Sequence, residues 1–333
     1  MSVLVTGAGG FLGSRLARLL AQRGERVRAM VRHGASASAL AGLDLEIVRG
    51  DVRFPDEMYR ALAGCTRLYH VAAVYSFAVS RDKMLAEAIE GADAVAGAAL
   101  KRGLERVVWT SSVATIGSNG EPVPMDESHA WSPEIDGAIA YVEAKKRSEQ
   151  RALDWAARGL PVVVVCPSGI YGPGDWKPTP SGAMVVRMLR SGIPAWTEGG
   201  LSIADVDDIA EGHVGAMEKG RLGERYILGG ENLTTRAILE LLADLCGRPH
   251  PRFKATRGAA TLTGWAMEAL SKVTGREPEM TRDVAAGVGR YYWVTSGKAE
   301  VALGYRHRPA RETLARAVRW YVEQGYTTRG AAA

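Results

Sequence analysis

Two periodicities alternate along the first half of the chain. Short apolar, β-branched runs near residues 2–6, 26–31, 45–48, 67–71, 106–110 and 161–165 predict strands. Between them, apolar residues recur every three or four positions near 11–23, 55–63, 84–102 and 140–158, which predicts helices. Strands alternating with helices predict an α/β protein with a doubly wound parallel sheet. The run Val162 to Val165 is apolar at every position, as expected of a strand covered on both faces. Beyond residue 165 the pattern loosens, and glycine, proline and tryptophan become frequent. The division expected is a nucleotide-binding domain over 1–165 and a smaller substrate-binding lobe over 166–333. A segment near 200–220 should return to the first domain. Asp205, Asp207 and Asp208 resemble a metal cluster, but they more simply cap and charge the start of a helix over 208–218.

The first strand runs directly into Thr6-Gly7-Ala8-Gly9-Gly10-Phe11-Leu12-Gly13, and the first helix follows with Leu16, Leu19 and Leu20. Strand, glycine turn and helix in that order are the setting of a dinucleotide fingerprint, the Rossmann arrangement. Gly7 permits the tight turn, Gly10 lets backbone approach a pyrophosphate, and Gly13 lets helix pack on strand. NAD-specific versions end the second strand with a carboxylate that accepts from the ribose 2′-hydroxyl. Here that strand ends in Arg32, whose guanidinium suits a 2′-phosphate. NADP(H) is therefore the cofactor expected, with NAD(H) as the alternative.

Two further features carry chemistry. Thr110-Ser111-Ser112 follows the strand Arg106 to Trp109, at the carboxyl end where open α/β sheets bind ligands. Tyr141 and Lys145 stand four residues apart on a predicted helix and so share a face. A free tyrosine titrates near about 10, and an adjacent ammonium should lower that value toward useful acid–base chemistry. Ser112, 29 residues before Tyr141, could hold a carbonyl oxygen while Tyr141 exchanges its proton.

The ordered set resembles an extended short-chain dehydrogenase/reductase. The matching residues are TGAGGFLG at 6–13, Asp51-Val52, His70-Val71-Ala72-Ala73, Ser111-Ser112, Tyr141 to Lys145, and Cys166 to Gly174. Later segments, Asp205 to Ala210 and Gly223 to Gly230, also match. Within the family the chain is most similar to the dihydroflavonol-reductase-like branch, which includes bacterial proteins named hopanoid-associated sugar epimerases. The resemblance implies that Tyr141 is the acid/base, Lys145 its activator and a ribose ligand, and Ser112 the carbonyl-positioning hydroxyl, with Ser111 or Thr110 as substitutes. It assigns the pyrophosphate to Gly7, Gly10, Phe11 and Leu12, and the adenine to Asp51 and Val52. Ala72 and Ala73 should line the cofactor, and Pro167, Ser168 and Ile170 should flank the nicotinamide. A homodimer through the helices near 84–102 and 140–158 is expected on the same ground. Aromatic residues at strand ends are candidates for the substrate pocket: Tyr75 and Phe77 beside Ser76, then Trp131, Tyr171, Trp176 and Trp196.

Composition narrows the classes. With 47% hydrophobic and 24% charged residues in 333, the chain has the makeup of a soluble globular protein with a large core. Its first strand leaves no room for a signal peptide, and no apolar run is long enough for a membrane span. Three scattered cysteines and no zinc-like histidine spacing argue against a disulfide framework or a metal site and for the cytoplasm. Residues 249–333 hold 14 Lys and Arg against 7 Asp and Glu, a net +7, so the remainder carries −2. That basic end reads as a solvated surface, since no nucleic-acid motif accompanies it. The leading expectation is an NADPH-dependent reductase of a small carbonyl compound, aromatic or apolar. The second is a sugar-nucleotide epimerase or dehydratase. The third is an NADP(H)-sensing regulator, a class that often lacks the tyrosine or lysine present here. Pro167-Ser168 stands where epimerases commonly carry an asparagine, which favours the first.

Overall fold

The computed structural model describes residues 2–73, 80–274 and 285–327. Tyr75 and Phe77 lie outside the described residues. The central layer is a seven-stranded parallel sheet. Its strands are β1 (Ser2–Thr6), β2 (Arg26–Val31), β3 (Glu46–Arg49), β4 (Cys65–His70), β5 (Arg106–Thr110), β6 (Val162–Pro167) and β10 (Arg225–Leu228), in the order β10-β6-β5-β4-β1-β2-β3. Side chains alternate between the two faces of a strand. Val3, Val5, Val108, Val163 and Val165 therefore enter one core, while Leu4, Val107, Val162 and Val164 enter the other. Val162 to Val165 are all fully buried. Each such side chain contributes on the order of 1.5–3 kcal/mol.

The first core is closed by α1 (Phe11–Gln22) and α6 (Val206–Lys219), with Leu303 from α9 (Gly297–Leu303). The second is closed by α2 (Pro55–Ala61), α3 (Arg81–Lys101) and α4 (Ala140–Ala156). α3 and α4 lie along one another. Arg151 of α4 makes a paired contact with Asp93 of α3, at 3.0 and 2.8 Å, and Trp155 Nε1 donates to the same carboxylate at 2.8 Å.

A second layer is built around β9 (Gly200–Asp205). It pairs with β11 (Glu231–Thr234), β13 (Tyr291–Tyr292) and the short β7 (Gly169–Tyr171). β8 (Ala195–Thr197) and β12 (Phe253–Ala255) form a separate parallel pair. α5 (Pro180–Ser191), α7 (Thr235–Cys246) and α10 (Ala310–Glu323) enclose this lobe's core. α8 (Arg257–Thr274) follows β12. The chain crosses between layers repeatedly, since α6 packs on α1 and β10 extends the main sheet. No described helix is long and apolar enough to cross a membrane.

The aspartates at the head of α6 cap that helix and bind arginines. Asp205 is the N-cap and accepts from the Asp207 N–H at 2.9 Å. Arg316 of α10 reaches Asp205 and Asp207, Arg308 reaches Asp208, and Arg15 of α1 reaches Asp207.

The glycine turn sets how closely α1 can approach β1. Gly7 has φ +69°, and a Cβ there would lie 2.8 Å from the Ala72 nitrogen. A Cβ on Gly13 would fall 2.2 Å from the Gly7 carbonyl oxygen. Gly13→Ala should therefore destabilise the fold by about 1–3 kcal/mol, read from the urea midpoint. An unchanged midpoint would show that the turn is not closely packed.

Candidate active site

β5 and β6 end side by side, and the polar side chains gather there. Three hydroxyls follow one another at the end of β5, and their neighbours give each a separate task. His213 Nδ1 lies 2.8 Å from the Ile209 carbonyl, which can only accept, so Nδ1 carries the proton. The other ring nitrogen is 3.0 Å from Thr110 Oγ1 and accepts from it. Ser111 donates to Glu149 at 2.6 Å. Ser112 lies close enough to Tyr141 for its hydroxyl to favour the phenolate. Ser112 also caps the short turn Val113–Thr115, its Oγ accepting from the Ala114 N–H at 3.2 Å.

α4 supplies the other half. Tyr141, Lys145 and Glu149 recur every four residues and so share the helix face turned toward β5 and β6. Lys145 Nζ donates to the Thr110 carbonyl at 2.8 Å. Burial pushes the Tyr141 phenol up to about 12, and the Ser112 hydroxyl recovers only part of that rise. This is opposite to the direction expected from the adjacent lysine. The physical reason is desolvation, which disfavours the phenolate. Burial likewise pulls Lys145 down to about 8, against the opposing effect of Cys166 and Glu149. His70, at the end of β4, is lowered to about 3 by burial and by the Lys145 charge, so a neutral imidazole stands beside the site. Its Nδ1 lies 2.9 Å from Thr6 Oγ1.

The residues expected to meet the dinucleotide line the carboxyl edge from β1 to β3. Gly10 is the exposed N-cap of α1, where no side chain caps the helix and no acidic residue occupies the first turn. Backbone N–H groups of Phe11 and Leu12 begin the helix there, a donor set suited to an anion. The Ala72 N–H bonds Thr6 Oγ1 at 3.3 Å, and Ala73 is exposed. Arg32 is exposed at the end of β2, near enough to Asp51 to favour its carboxylate. Asp51 itself is held by Arg53 at 2.7 Å, with Val52 between them. Pro167 ends β6, Ile170 lies in β7, and Ser168 between them has a buried hydroxyl with no hydrogen-bond partner among the described residues. An uncapped helix start, an open glycine and an unpartnered hydroxyl along one edge fit a nicotinamide dinucleotide.

The aromatic candidates divide. Trp131 packs beside Gly137 and under Lys146, its indole nitrogen buried and unpartnered among the described residues. Tyr171 is 2% exposed and belongs to the second lobe's core, with Val185 and Met188. It is a packing residue, because β7 turns its ring inward. Trp176 stacks edge-on against Trp320, and Trp196 lies beneath Arg236 and Lys254. Sequence reading missed Glu149, Thr115 and Arg225, which cluster together, with Glu149 and Thr115 buried and Arg225 half-buried. The signal for Glu149 was its place eight residues after Tyr141, on the same face.

A model of the NAD dependent epimerase/dehydratase family matches residues 3–229, and the chain belongs to that family. More narrowly, it is an extended short-chain dehydrogenase/reductase of the dihydroflavonol-reductase-like branch, and an NAD(P)-dependent oxidoreductase. It is 36% identical to a putative dihydroflavonol 4-reductase of Synechocystis, over 97% of this chain and 95% of that protein. A 4-hydroxy-2-methyl-3-oxo-4-farnesyl-3,4-dihydroquinoline-1-oxide ketoreductase of Stigmatella aurantiaca is 30% identical, over 92% of each. The crystal structure of gox2253 superposes with TM-score 0.86 at 38% identity, covering 98% of this chain and 99% of the other. A nucleoside-diphosphate-sugar epimerase from Pseudomonas aeruginosa superposes with TM-score 0.81 at 25% identity, covering 98% and 99%.

The depressed Lys145 has a consequence for stability. Its pKa falls from 10.5 to about 8 on folding, so between those values the unfolded chain binds more protons. Stability contributed at this site is therefore lowest below about pH 8 and grows as pH rises to about 10.5. Relative to Lys145→Met, the wild-type protein should gain about 3 kcal/mol between pH 7 and 11, measured by urea unfolding. A pH-independent gap would show that the ammonium is not buried.

Proposed function

We propose that the protein is an NADPH-dependent reductase of ketones or aldehydes, with Ser112, Tyr141 and Lys145 as its catalytic residues. The observation that carries this reading is the meeting of Ser112, Tyr141 and Lys145 above the ends of β5 and β6, with Lys145 held there on the Thr110 carbonyl at 2.8 Å. NADPH, when bound, would supply the hydride to the carbonyl carbon. Ser112 and Tyr141 donate hydrogen bonds to the carbonyl oxygen as negative charge develops on it. Tyr141 then transfers its proton to that oxygen, completing the alcohol. A phenol pushed up to about 12 keeps its proton at neutral pH, the form a reductive acid requires. The nearby Lys145 ammonium stabilises the phenolate left behind.

Arg32 supports NADP(H) over NAD(H), since its guanidinium can pair with a 2′-phosphate and no carboxylate ends β2. The reductase relatives, named for a dihydroflavonol and a farnesyl-dihydroquinoline oxide, support an apolar or aromatic carbonyl compound. Trp131 lines the pocket in this reading. A homodimer through α3 and α4, in the cytoplasm, belongs to it as well.

A second reading, a sugar-nucleotide epimerase or dehydratase, is favoured by the structural relative that carries an epimerase name. Mass spectrometry of the purified protein separates the two. Stoichiometric retained NAD supports the epimerase, and an empty site restored by NADPH supports the reductase.

Two substitutions test the leading reading. Tyr141→Phe should lower kcat for NADPH oxidation with aryl ketones at least about a hundredfold. Comparable turnover in that variant would sink the assignment of the acid. Arg32→Asp should abolish the preference for NADPH over NADH in kcat/KM, and an unchanged ratio would reject the 2′-phosphate contact.

A further inference from the structure

Glu149 is 1% exposed, yet it gathers polar groups from four elements. Its Oε2 accepts from Ser111 at 2.6 Å and lies 2.6 Å from the Thr115 hydroxyl. Its Oε1 lies 3.1 Å from Arg225 Nη1 of β10 and 3.5 Å from Lys146 Nζ. Cys166 Sγ of β6 is 3.7 Å away. Thr115 Oγ1 is also 2.8 Å from the carbonyl oxygen of Ser112. One carboxylate thus spans the gap between α4, which carries Tyr141, and the turn that carries Ser112. A buried ionised group costs several kcal/mol unless its partners compensate. A full set of donors around this one therefore points to a role in holding geometry.

The same carboxylate faces Lys145. From its own helix, Lys145 is faced by Glu149. From β6 it is faced by Cys166, and from the end of β4 by the neutral His70. Burial pushes the Cys166 thiol far above its usual range, and Glu149 pushes it further, so at neutral pH it is an uncharged SH. The anion left to favour the lysine's charged form is Glu149. Around Glu149 itself stand Lys146 and Arg225; Arg225 Nη2 also donates to the Glu127 carbonyl at 2.6 Å, and the Glu127 Oε1 accepts from the Ile227 N–H at 2.8 Å.

We propose that Glu149 is a positioning residue for the reduction: it ties the Ser112 turn to the Tyr141 helix and supplies the negative charge beside Lys145. It rests on the reductase reading for its effect on turnover, but its effect on Lys145 does not.

The test uses Glu149→Gln and Thr115→Val in the full-length protein. In Glu149→Gln, kcat for NADPH-dependent carbonyl reduction should fall at least about tenfold, while KM and the Kd for NADPH stay within about threefold. The Lys145 midpoint, followed by the 13Cε shift in lysine-labelled protein and assigned with Lys145→Met, should fall by about one pH unit. Thr115→Val loosens the tie and leaves the charge, so it should lower kcat with the Lys145 midpoint unmoved. Unchanged kcat or an unchanged midpoint in Glu149→Gln would overturn the proposal. So would a kcat loss matched by an equal loss of NADPH affinity, the mark of a merely structural role. If Glu149→Gln does not fold, Thr115→Val decides, and normal turnover in it counts against the tie. A wild-type protein that reduces no carbonyl overturns the reductase reading alone, because the Lys145 titration needs no turnover.

Discussion

The site depends on one bond, from the Lys145 ammonium to the carbonyl oxygen of Thr110 at 2.8 Å. It fixes the height of α4 over the end of β5, and with it the position of everything else on that helix face. Tyr141 lies one turn above it and Glu149 one turn below. A cation pulled down to about 8 by its surroundings is an expensive anchor for a helix. An apolar side chain would pack more cheaply but, in the proposed reduction, would leave Tyr141 without a positive charge near its phenolate. On the proposed mechanism, stability is given up where the chemistry needs an ionised group in a dry place.

Desolvation governs the titratable groups near this bond. It raises Tyr141, lowers Lys145 and lowers His70, each toward its neutral form. The hydroxyls at the end of β5 are then sorted by hydrogen bonds alone. Thr110 serves His213, Ser111 serves Glu149, and Ser112 is left to face Tyr141.

Most of the parallel-sheet half was legible in the sequence. Its strands and helices are local patterns with clear punctuation. β1, β2 and β5 fall on the residues expected, and α1, α3 and α4 lie within three residues at each end. The glycine turn was legible because only glycine fits at Gly7 and Gly13. What could not be read depends on contacts remote in sequence. Arg225 meets Glu149 across 76 positions, and Tyr321 meets Asp175 across 146. Tyr171 looked like a pocket residue from its place after a strand, but whether a ring points into a core is decided by packing partners not yet known. The Tyr141 shift runs opposite to the expectation for a related reason. Neighbouring charge can be read from spacing on a helix, whereas burial cannot.

β10 pairs with β6 through Arg225 to Leu228, although the chain has by then passed through β7, β8 and β9. This ordering matters during synthesis. When β6 leaves the ribosome, one of its edges has no neighbour, and its Val162–Val165 run is apolar throughout. An unpaired apolar edge is a template for joining other chains. It stays open until the chain has grown past residue 228, so the nascent protein must be shielded over that interval or complete its sheet late. The parallel sheet is thus closed by residues that the sequence places well inside the other half of the molecule.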